Sequence, residues 1–340
     1  MKKIISLSLV LMLLLGILAV PAMAEEAQPR KSGRLSYLAM TDEEEQSLKI
    51  SIRRPLRKLL TLRGVLEMEE RKGPSTPTKH YDSLNALLMA LQSGEVDDLI
   101  LPYYTAKYLC STNDGIRISS GYHPEKATGI AEWALSLISD GYSFMLKEDN
   151  TALKDAFDAQ LTAMKEDGTL QKLINEHILK VSEGSEPVAV SFEQFEGDPI
   201  KVGVSGDLPP MDYVSPDGSF AGFNTAVLAE IGKRMQKNIE LVQVENVGRA
   251  LALSEGVVDV VFWTRAQSES LTALLKSGEG PEDVMAKTND KLSEEEQAIF
   301  DEIKNLDPET MVKWTSRDMP EGTIVTQPYF TDYGVVVTLK

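Results

Sequence analysis

A single cysteine, Cys110, stands in a chain of 340 residues. No intramolecular disulfide can form, and the residue reads best as a small buried hydrophobe. Histidine is almost as scarce, with only His80, His123 and His177. None has metal-ligand spacing such as H-E-x-x-H, and neither a G-x-S-x-G elbow nor a P-loop occurs. No catalytic residue, metal site or cofactor is therefore expected. Basic residues fall well short of acidic ones, 35 against 52, for a net charge of −17. That field repels phosphate backbones and anionic lipid, so nucleic acid is a poor partner.

The longest apolar run lies at the start, where Lys2 and Lys3 precede Ile4 to Val20 and Ala22-Met23-Ala24 follow. A positive n-region, an apolar core and an A-x-A site predict a cleaved export signal over residues 1–24. The run also approaches one membrane span in length, but the small-residue motif and Glu25-Glu26 favour cleavage. With no cysteine after the apolar core, a lipid anchor is not expected. A periplasmic or secreted monomer is the expectation.

The most informative stretch runs from Pro199 to Trp263. Ile200, Val202 and Val204 alternate with Lys201 and Gly203, the period of a strand. Gly206-Asp207-Leu208-Pro209-Pro210 ends it, because two prolines suit neither helix nor ladder. Pro216-Asp217-Gly218 reads as a turn, and Asn224 as the N-cap of a helix carrying Val227, Leu228, Ile231 and Met235 on one side. A second strand from Ile239, a short helix over Arg249 to Ser254 and a third strand over Val257 to Trp263 complete a βαβαβ unit. Such a unit implies a parallel sheet with ligands beyond the carboxyl ends of its strands.

Elsewhere the chain echoes itself. MALQSGEVDDLIL (Met89 to Leu101) aligns without gaps to LALSEGVVDVVFW (Leu251 to Trp263), matching Ala90/Ala252, Leu91/Leu253, Gly94/Gly256, Val96/Val258 and Asp97/Asp259. Each copy reads as a helix end, a glycine stop and a strand apolar on both faces. A strand is predicted over Arg34 to Met40, then a capping box at Thr41-Asp42-Glu43-Glu44. Residues 49–72 are locally basic around Pro55 and fit a solvated amphipathic face better than a membrane-surface helix. Asn150-Thr151 predicts a helix start, with Leu153, Phe157, Leu161 and Met164 on its apolar side. Ser293 and Glu296 form a further capping box, opening a helix to Leu306.

The order GVSGDLPPMDYVSPDGSFAGFN, a helix, then ALALSEGVVDVVFW resembles the first lobe of extracytoplasmic solute-binding proteins of the type 2, amino-acid-binding-like family. Residues 140–178, with M-x-x-D-G-T-L at their centre, resemble that family's closing segment. The resemblance implies an α/β, two-lobed type 2 periplasmic-binding fold, βα lobes around a cleft, but in an unusual segment order. Residues 34–140 are similar to a second lobe, 141–181 to the crossing strand and closing helices, 182–198 to a linker. Residues 199–340 are similar to a first lobe with a helical insertion over 266–322, and Tyr333 to Lys340 to a strand crossing toward the second lobe. One permuted domain and two incomplete tandem copies both satisfy this order; the first uses one set of parts with little duplication.

The resemblance also implies capture of a small molecule, amino-acid-like or related, for a membrane ABC-type permease or a sensor. It places Asp207 to Tyr213 at the cleft mouth and Trp263, Thr264 and Arg265 at a strand end inside it. Arg265 sits earlier than the arginine that pairs with a ligand carboxylate in the family, so a surface salt bridge is an equal reading. In the second lobe Pro102 stands where an ammonium-binding aspartate is usual, with Tyr103 and Tyr104 next. The helix start near Thr41 is followed by three acids, which repel an anion. These departures count against a standard α-amino acid and toward a less polar or cationic ligand. A non-catalytic sensory or scaffold module is the alternative function, and an enzyme derived from the binding fold a more distant one.

Overall fold

The structure, a computed structural model, describes residues 30–35, 41–68, 78–215, 218–265, 281–305, 308–315 and 318–340. The export signal read over residues 1–24 lies outside them. Among the described residues no helix is long and apolar enough to cross a membrane.

The chain first builds one lobe. Strand β1 (Ser32–Leu35) is followed by α1 (Asp42–Leu48), a π-helical turn at Lys49–Arg53 and α2 (Arg54–Leu62). Pro55 lies within an unbroken helical run over residues 42–62, directly after the π-helical turn. Then come β2 (Leu66–Met68), β3 (Lys79–Tyr81), α3 (Leu84–Gln92), β4 (Asp98–Pro102) and α4 (Tyr103–Thr112). β5 (Ile116–Ile118), β6 (Ser120–Tyr122) and α5 (Ile130–Ile138) end this part.

The second part opens on β7 (Asp140–Lys147), α6 (Thr151–Glu166), α7 (Thr169–Ile174) and the short α8 (Lys180–Ser182). Residues 187–193 have no regular structure and are largely exposed. β8 (Ile200–Val204), β9 (Asp207–Leu208), β10 (Asp212–Val214), β11 (Phe220–Ala221), α9 (Phe223–Met235), β12 (Ile239–Gln243), α10 (Arg249–Ser254) and β13 (Val260–Arg265) follow. Helices α11 (Pro281–Thr288), α12 (Glu294–Lys304) and α13 (Pro308–Thr315) precede β14 (Thr323–Val325), β15 (Phe330–Asp332) and β16 (Gly334–Leu339).

Two sheets share one plan, with strand orders β3-β1-β4-β16-β5 and β12-β8-β13-β7-β14. In each, three parallel strands come from one βαβαβ run, and an antiparallel strand from the other half of the chain lies beside the third. β7 leaves the first lobe to pair with β13, and β16 leaves the second to pair with β4. Helices α6 and α7 pack on α9, and Phe157, Leu161 and Met164 share a core with Val202, Phe223 and Val227. The closing helices thus cover the 200–265 sheet, across the connector.

The internal echo is a structural repeat. Gly94 and Gly256 turn with φ of 74° and 72°. Asp97 Oδ2 accepts from Lys31 N at 2.8 Å, and Asp259 Oδ2 from Lys201 N at 2.9 Å, each tying the start of the third strand to the start of the first. Val96 and Val258 are both 1% exposed. The helix predicted to cap at Asn224 instead begins at Phe223, with Gly222 at the N-cap. Asn224 lies inside it and accepts a 2.8 Å hydrogen bond from the Tyr329 hydroxyl.

The insertion also departs from its expected place, because its helices α11 and α12 pack on the other lobe. Ile299, Phe300, Ile303 and Trp314 are buried in the same core as Leu56, Leu59, Leu60 and Trp133 of the other lobe. Burial there is worth roughly 1.5–3 kcal/mol per large side chain. The predicted capping box at Ser293 and Glu296 forms. Glu296 also pairs with Arg63, and Asp290 Oδ2 accepts from Ile130 N at 2.8 Å. Gly129, with φ of 56°, leaves the room this needs, since a Cβ there would lie 2.2 Å from that oxygen.

Replacing Gly94 or Gly256 by alanine forces a side chain into the left-handed region, at roughly 1–2 kcal/mol. Urea unfolding should therefore give losses of about that size, similar for the two variants. Unequal losses would deny that the two turns are equivalent.

Candidate functional site

The cleft lies where the parallel strands of both sheets end. A cavity of about 140 Å³ opens there, lined from one side by Arg34, Leu35, Arg53 and Ile100 to Pro102. From the other side Ser205, Asp207, Asp212, Asn246, Arg249 and Trp263 face it, and Asp140 and Gly334 close it at the crossing strands. Both walls are charged. The 30–139 lobe supplies two guanidinium groups, and the 200–265 lobe supplies carboxylates around a third.

That third is Arg249. Its Nη1 donates to Phe262 O at 2.7 Å, its Nε to Asn246 O at 3.3 Å, and its Nη2 to Asn246 Oδ1. The guanidinium lies 5.2 Å from the centre of the Trp263 ring, within cation–π range. Loss of solvent lowers its pKa from the usual arginine value, while Asp212, Asp318 and Asp207 act to raise it. Asp212, 2% exposed, accepts through Oδ2 from Ser205 N at 2.9 Å, Ser205 Oγ at 3.2 Å and Gly206 N at 3.3 Å. Its Oδ1 is buried with no hydrogen-bond partner among the described residues. Burial pushes its carboxyl pKa up, against the pull of those N–H donors and Arg249. An unmatched acceptor of this kind calls for a donor.

Of the residues singled out from sequence, Asp207 and Trp263 line the cavity. Thr264 and Arg265 lie on β13 opposite Tyr142 and Gly141, and their side chains lie outside the described residues. Tyr213 is placed outside the lining, with its ring 6.4 Å from that of Tyr108. Tyr103 packs edge-on to Tyr104 and Tyr122 at 5.0 and 5.4 Å, also outside it. Thr41 is exposed and caps α1 by exchanging hydrogen bonds with Glu44. The aromatic wall expected for the cleft is thus mostly a hinge cluster of Tyr103, Tyr104, Tyr122, Tyr333 and Phe330, and charge takes its place.

Arg34, Arg53, Asn246 and Arg249 were not foreseen, and Asp212 only as part of the loop from Asp207 to Tyr213. Arg249 had one signal: extending the repeat backward two residues sets it opposite Leu87, which is fully buried. A charge replacing a core leucine in one copy marks where the lobes differ.

At the crossing, Asp332 accepts from Tyr104 N at 3.1 Å and Tyr333 N at 2.7 Å, holding the start of α4 against β15. Burial, helped by Asp140, pushes its pKa up to about 7 despite these donors.

Residues 200–305 match the family "Bacterial extracellular solute-binding proteins, family 3". No curated protein matches the chain. Among solved structures, the Bordetella pertussis BvgS periplasmic VFT2 domain is similar at 11% identity and a TM-score of 0.33, over 93% of this chain and 83% of that one. The GluR0 ligand-binding core from Nostoc punctiforme, in complex with (L)-glutamate, is 9% identical over 92% and 85%, with a TM-score of 0.31. The substrate binding protein of an amino acid ABC transporter is 12% identical over 92% and 85%, also with a TM-score of 0.31.

Asp332 yields a pH test. Its folded pKa is raised above the unfolded value near 3.9, so its share of stability is complete below about pH 4 and is lost as pH rises through about 7. Relative to wild type, Asp332→Asn should therefore gain stability steadily from pH 4 to 7 and level off above. Parallel stability curves in chemical denaturation would show that the carboxyl is already ionised in that range.

Proposed function

We propose that this protein captures a small polar solute between its two lobes, outside the cytoplasmic membrane, and presents it to a membrane partner, a permease or a sensor. One observation carries the reading: both lobes place charged side chains around one cavity at the carboxyl ends of their parallel strands. The family match over residues 200–305 supports it and points to binding without chemistry. The cavity, about 140 Å³, is smaller than the roughly 300–1,000 Å³ of drug-sized pockets, which suits a compact solute. Its hydrogen-bond donors would meet Asp207 and Asp212, and its acceptor oxygens Arg34 and Arg53. A sensory module with constrained lobes is the second reading, favoured by the insertion that joins one lobe to the other's core.

Binding N but not U stabilises by RT ln(1 + [L]/Kd), about 2.7 kcal/mol at a hundredfold excess over Kd. A thermal-shift screen of amino acids, polyamines, peptides, sugars and aromatic metabolites should find a solute that raises Tm by a few degrees. The shift should vanish in Arg53→Met and in Asp207→Asn, whose unliganded Tm stays near wild type. Hits that persist in both variants place binding elsewhere; a screen with none supports the second reading.

A further inference from the structure

The chain between β13 and β14 passes from one lobe to the other and back. Its return is short and pinned at both ends. In the 30–139 lobe Trp314 is buried and its Nε1 donates to Leu137 O on α5 at 2.7 Å. Four residues later, Asp318 O accepts from Trp263 Nε1 on β13 of the other lobe at 2.9 Å. Four residues of fully extended chain span about 14 Å at most. Asp318 holds φ at 60°, a left-handed turn conformation that aspartate tolerates. Beside it Met319 packs on the core that contains Trp263, and Asp318 itself lines the cavity.

We infer that helices α11 to α13, with Asp318 and Met319, form a strap that holds the lobes closed without a ligand. The crossing strands β7 and β15–β16 make a hinge, and a hinge by itself leaves the angle between lobes free. The strap adds a covalent crossing outside those strands, seated in one core through α12 and Trp314. Opening beyond the reach of residues 314–318 requires release of the Trp263–Asp318 bond or withdrawal of Trp314. The inference does not depend on any solute, so it stands or falls separately from the function proposed above.

Its test is an interlobe distance in full-length protein freed of bound molecules by unfolding, dialysis and refolding. Spin labels go on Gln92→Cys and Glu255→Cys, exposed at equivalent helix ends of the two lobes, with Cys110→Ser removing the native thiol. Pulsed electron resonance should give one narrow distribution. Inserting eight Gly-Ser residues between Thr315 and Asp318 keeps both anchors but lengthens the tether, and should add a longer-distance population. Trp263→Phe, which removes the indole donor, should broaden the distribution in the same direction and carries the test if the lengthened chain does not refold. A broad wild-type distribution, or variant distributions that match a narrow wild type, would overturn the strap.

Discussion

Two strands change lobes, and the rest of the molecule depends on that exchange. β7 follows the last helix of one lobe but pairs along its length with β13 of the other, from Met145 opposite Val261 to Gly141 opposite Arg265. β16 reverses the arrangement, with Val335 to Val337 opposite Leu101 to Leu99. Without the exchange each sheet would stop at its third parallel strand and leave a hydrophobic edge unpaired. The two crossings meet where Asp140 pairs with Asp332, and the hinge is built there.

This arrangement accounts for the segment order. Helices α6 and α7 precede the sheet they cover, and the connector of residues 183–199 joins what another order would leave as two ends. We favour reading the chain as one permuted two-lobed unit, because a single set of strands and helices completes both cores.

Much of this was legible in the sequence because it rests on local rules. The repeated glycine stop and the aspartate after it identify the same turn in both lobes. The alternation at Ile200 to Val204 and the capping box at Ser293 need no tertiary context. The seat of the insertion did, since the apolar stripe of Ile299, Phe300 and Ile303 states that a face is buried without saying against what. The site was legible only in part. Asp207 and Trp263 follow from strand-end position, but Arg34 and Arg53 lie far from them in the chain and meet them only through the crossing. Asp212 looked like one more acid in an acidic chain. The tyrosines were misleading because two consecutive aromatic rings after β4 fit a ligand shelf and a hinge core equally well.

Native-state hydrogen exchange reads the crossed strands directly. Amides of Gly141 to Leu146 and Val335 to Thr338 should exchange in the slowest class, together with those of β8. Exchange of the β16 amides as fast as those of the connector at 187–193 would mean that the strand is not held in the far lobe, and would contradict the fold described.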